Sequence, residues 1–67
     1  MIWIVVTEAA GRLHDIQVEM IESIADADPI APAGSKATIY VQSGALRHVK
    51  ETRAQIRVLI DKASKER

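Results

Sequence analysis

Sixty-seven residues without a cysteine exclude a disulfide scaffold and a thiolate zinc site, and lie near the lower size at which one core supports folding. Nine basic and nine acidic side chains cancel, which removes the overall positive field of a dedicated nucleic-acid binder. A short chain without covalent staples is a candidate for self-association or an obligate protein partner, because either adds buried area.

The charge is nonetheless segregated. Residues 1–34 hold six acids (Glu8, Asp15, Glu19, Glu22, Asp26, Asp28) against Arg12, a balance of −5. Residues 35–67 hold eight bases against Glu51, Asp61 and Glu66, a balance of +5. Either the folded molecule has a basic and an acidic side, or folding brings the halves together; so short a chain favours the second.

In chain order, residues 1–7 read as a strand, with Ile2, Ile4 and Val6 on one face and Met1, Trp3 and Val5 on the other. Apolar residues on both faces suggest a central strand, or one whose second face meets the helix or another subunit. The run is far too short to span a bilayer, and it lacks the basic leader and long apolar core of a secretory signal. No membrane insertion and a cytoplasmic location are the expectations. Residues 8–12 contain Gly11 and read as a hairpin loop. Residues 13–19 alternate, with His14, Ile16 and Val18 inward. Met20 and Ile21 break that period as a short turn, and residues 22–27 give a third strand with Ile24 buried.

Residues 28–36 hold Pro29, Pro32 and Gly34 and form the longest loop, with Ile30 either tucked onto the core or exposed for a partner. Strand 37–42 puts Ala37, Ile39 and Val41 on one face and Thr38, Tyr40 and Gln42 on the other. Ser43-Gly44 supplies the positive φ of a tight turn. The last strand, 45–50, places Leu46 and Val49 on opposite faces, which a bulge or a twist would reconcile. Thr52 and Gln55 match a capping box, and Ile56, Leu59, Ile60 and Ala63 form the apolar stripe of a helix over 53–65. The expected fold is α+β in one domain: a small, curled antiparallel sheet of four to five strands, partly barrel-like, with one C-terminal amphipathic helix packed on it.

Catalytic patterns are thin. His14 and His48 are far apart in sequence, and Asp15 faces away from its strand neighbour His14. Ser43 lacks the Gly-x-Ser-x-Gly elbow, and Ala33-Gly34-Ser35-Lys36 lacks the spacing and following helix of a phosphate loop. The pairs Glu19/Glu22 and Asp26/Asp28 read as solvated rim and turn residues. No catalytic residue, cofactor or metal is expected, and the chain is not expected to be an enzyme.

Arg47, Lys50, Arg53, Arg57 and Lys62 cluster on the last strand and helix, in the same stretch as Lys65 and Arg67, enough for several phosphate contacts. Only Trp3 and Tyr40 are available to stack on bases, so a solvated basic helix face is the favoured reading. Trp3, Tyr40 and Ile30 are instead the candidate protein-interface residues, since aromatic side chains on a strand's outer face often anchor interfaces; the alternative, equally open for Trp3, is that the aromatics cover the second side of a small barrel.

The order of strand 2–6, Gly11, Ile16-x-Val18, Ile21-Glu22-Ser23-Ile24, strand 38–41, Ser43-Gly44 and Val49-Lys50-Glu51-Thr52, then Ile56 and Ile60, resembles the FlbD-type flagellar family, the swarming-motility SwrD group. The loop 28–36 is longer and richer in proline than in that family, and Glu19-Met20 stands where an asparagine is usual. The strand-turn-strand-helix order is also similar to the front half of LytTR-type DNA-binding domains, although the chain ends before the strands that would contact DNA. Small phage and prophage proteins share the pattern too. The resemblance implies a non-enzymatic accessory module acting through a partner, at the flagellar motor or as a phage-encoded host-factor binder, with no catalytic residues to carry over.

Overall fold

Alternating apolar side chains at the start of the chain become β1 (Trp3–Thr7) in the structure, a computed structural model that describes residues 2–65. β1 pairs antiparallel with β2 (Leu13–Gln17), Ile4 facing Ile16 and Val6 facing His14. Ile4, Val6 and Ile16 are buried on the inner face, while Trp3, Val5 and Leu13 lie exposed on the outer one. β1 is therefore not a central strand, since its ladder runs with β2 alone, and its outer face is only half covered, Val5 sharing a groove with Ala54 and Val58 of the C-terminal helix.

Two hairpins close by the same device. The Glu8 carbonyl accepts the Gly11 N–H at 2.8 Å, and the Val41 carbonyl accepts the Gly44 N–H at 3.0 Å. Both glycines sit at positive φ, 96° and 93°, where a Cβ would clash with its own backbone. A turn followed by a left-handed residue carries the twist that antiparallel strands need.

β2 stops at Gln17, short of residue 19, and a 3₁₀ turn at Val18–Met20 leads into β3 (Ile21–Asp26). β3, β4 (Ala37–Val41) and β5 (Leu46–Val49) form an antiparallel sheet in that order. A register shift between Ile21 and Ser23 puts the bulge in β3. The bulge or twist expected in the last strand is not needed. Val49 is fully buried opposite Ala37, and Leu46 pairs with Tyr40 on the outer face, so strict alternation holds there. Ile24 is half-buried against the core.

The expected single, partly barrel-like sheet is also corrected: the described strands form two sheets that do not close. They touch through one bridge, Glu8 with Val49, flanked by the Lys50 N–H to the Thr7 carbonyl at 2.8 Å and the Ala9 N–H to the His48 carbonyl at 3.1 Å. Pairing stops there for two reasons. The chain leaves β5 for the helix, and the Glu51 carboxylate takes the Thr7 N–H with both oxygens, at 2.9 and 3.0 Å. A side chain thus occupies the donor that a longer strand would have paired.

α1 (Arg53–Lys65) opens on the expected capping box, the Gln55 N–H donating to Thr52 Oγ1 at 3.1 Å and the Thr52 N–H to Gln55 Oε1 at 2.8 Å. Its Ile56 is fully buried, and Leu59, Ile60 and Ala63 pack beside it on a core of Ile4, Val6, Ile16, Ala37, Ile39 and Val49. Among the described residues no helix is long and apolar enough to cross a membrane.

Candidate functional site

Strand parity decides which side chains meet on the outer face of the three-stranded sheet. Thr38 pairs with His48 and Tyr40 with Leu46, so these four side chains share that face. The loop between β3 and β4 overhangs them. Its first turn is fixed by Asp28, whose carboxylate accepts the Ile30 N–H at 3.0 Å and whose carbonyl accepts the Ala31 N–H at 2.9 Å. Its far end is tied to β5 by the Lys36 N–H donating to the Val49 carbonyl at 2.7 Å.

Between loop and sheet lies an open cleft of about 460 Å³, with Ile30, Tyr40, Leu46 and His48 in its walls. Ile30 is 91% exposed, which settles the choice between tucked and exposed. Thr38 is buried at the cleft floor and its hydroxyl lies 3.1 Å from His48 Nδ1, which orients the imidazole. Asp26 and Asp28 also line the cleft, giving it acidic edges. Sequence reasoning singled out Tyr40 and Ile30 without placing them together. It missed Leu46 and His48, which the period-2 pairing with Tyr40 and Thr38 would have revealed once that register was known.

Trp3 stands elsewhere, on the outer face of the two-stranded sheet. It lines a shallow depression with Leu59 and Lys62, and Leu59 also walls a neighbouring groove of about 470 Å³ shared by Val5, Ala54 and Val58.

The basic candidates are dispersed. Arg53 Nε meets Asp26 Oδ1 at 2.7 Å, and Arg47 lies 3.7 Å from Glu8, which also faces His14 Nδ1 at 3.9 Å. Lys50 lies against Gly34, while Arg57 and Lys62 sit exposed on α1. The two arginine pairs join the acidic first half of the sequence to the basic second half. His14 is on the inner face of β2 and His48 on the outer face of β5, and among the described residues no three His, Asp or Glu side chains converge as a metal site. No family model, curated protein or solved structure matches this chain.

Proposed function

We propose that the chain is a non-catalytic protein-interaction module that grips an apolar segment of a partner protein in the cleft beneath Ile30. The observation that carries this reading is Ile30 itself. A branched aliphatic side chain is held in water by a turn that Asp28 fixes, above Tyr40 and Leu46. Covering those three side chains would remove apolar surface from water at about 25 cal/mol per Å², with little ordering cost on this side because the loop is already tied at both ends. Arg53 already faces Asp26, so Asp28 is the acidic edge left to favour a segment that carries a basic residue beside its apolar ones.

The nucleic-acid reading has weaker support, because Arg47 and Arg53 already face carboxylates. The resemblance to the flagellar family, resting on sequence alone, directs the search for a partner first to motor proteins, and the phage-like pattern directs it next to host factors.

The test is capture from the native host with wild-type chain and with Ile30→Asp. Loss of a captured protein at unchanged melting temperature supports the reading. Equal capture by both chains overturns it.

A further inference from the structure

The outer face of β1–β2 and the adjoining side of α1 carry apolar surface that the cleft reading leaves unexplained. Trp3, Val5, Leu13 and Val58 are 52%, 51%, 68% and 64% exposed. They are neighbours. Trp3 and Val5 share the outer face with Leu13 by register, and Val58 lines the same groove as Val5. Contiguous apolar surface of this kind marks an interface more often than isolated exposed residues do.

We propose that this face pairs with a second copy of the chain, about a two-fold axis running parallel to β1. The layout across the face is β2, then β1, then α1. Asp15 lies opposite Val5 on the β2 side, and Lys62 lies beside Trp3 on the α1 side. A two-fold rotation about the β1 direction lays β2 of one copy over α1 of the other. Asp15 then faces the helix that carries Lys62, and the reciprocal contact forms on the other side of the axis. Asp15 and Lys62 are opposite in sign, so a second copy gives each a partner, whereas a partner of one sign would match only one of them.

The four side chains would form the apolar centre of such a contact, with polar residues around them as its rim. A stable interface takes about 800 Å² from each partner, roughly a sixth of this chain's 4568 Å². A peptide filling the groove between Val5 and Val58 alone would leave Leu13 in water, whereas a face-to-face copy covers all four side chains. An isologous contact also closes on itself, so the exposed surface is used up in the dimer and does not propagate into fibres.

Trp3 is the only tryptophan, so its emission reports on this face. Sedimentation equilibrium from micromolar to millimolar chain should show a mass twice the monomer's 7.4 kDa, and dilution should shift Trp3 emission to the red. Val58→Asp should give a monomer with unchanged far-ultraviolet circular dichroism. Asp15→Lys and Lys62→Asp should each weaken association about tenfold, and their combination should restore it. A monomer throughout the range, a dimer surviving Val58→Asp, or no recovery in the double variant would overturn the proposal. Ile30→Asp should leave the dimer intact, so failure here and failure of the cleft reading are separate results.

Discussion

Glu51 gives the clearest case of one side chain setting the architecture. Its carboxylate accepts the Thr7 N–H with both oxygens across 44 positions of sequence. Removing it leaves a half-buried donor on β1 without its charged acceptor, which costs about 1.5–3 kcal/mol for a bond to an ionised group. Glu51→Ala should therefore lower the urea midpoint markedly. Glu22→Ala, at the exposed bulge of β3, should change stability by less than about 0.5 kcal/mol. Equal midpoints for the two variants would refute the role given to Glu51. Gly44 offers a purely conformational counterpart. A Cβ there would meet nothing within 4 Å, so its cost comes from φ alone. Gly44→Ala should cost about 1–2 kcal/mol, and Gly44→Asn, whose short polar side chain tolerates the left-handed region, should recover most of that in thermal melts.

At the scale of elements, α1 shows what local sequence decides. Thr52, Gln55 and the stripe from Ile56 to Ala63 lie within one helix and its cap, so spacing alone locates its start and buried face. Thr52→Ala should lose about 1 kcal/mol and speed amide exchange at Gln55, the N–H that the threonine hydroxyl accepts. Unchanged exchange there would show that the cap hydrogen bond contributes nothing. The hairpins were legible for the same reason, because Gly11 and Gly44 announce their turns locally. The division into two sheets was not. It depends on where β1 meets β5 and on the Glu51 contact, and neither has a local signature. The cleft was half legible: alternation shows that Tyr40 points outward, but only strand register brings Leu46 and His48 beside it, and only the Asp28 turn suspends Ile30 above them.

Across the whole molecule, the segregated charge and the choice of ligand are one question. The acidic and basic halves of the sequence meet through Glu8 with Arg47 and Asp26 with Arg53, so two of the strongest phosphate-binding candidates face carboxylates. Both arginines are well exposed, 41% and 49%, and exposed pairs contribute only about 0.2–1 kcal/mol each to stability. Their removal should leave the fold intact. Their effect on polyanion binding is larger, because every phosphate neutralised adds nearly a full unit to the salt dependence of binding. The wild-type chain should elute from heparin at low salt. Glu8→Gln with Asp26→Asn should free both arginines, raise the net charge by two and move elution to higher salt, with the melting temperature nearly unchanged. Strong retention of the wild-type chain, insensitive to those two substitutions, would mean that Lys50, Arg57 and Lys62 suffice to hold a polyanion, and would put nucleic acid ahead of a protein partner as the ligand class.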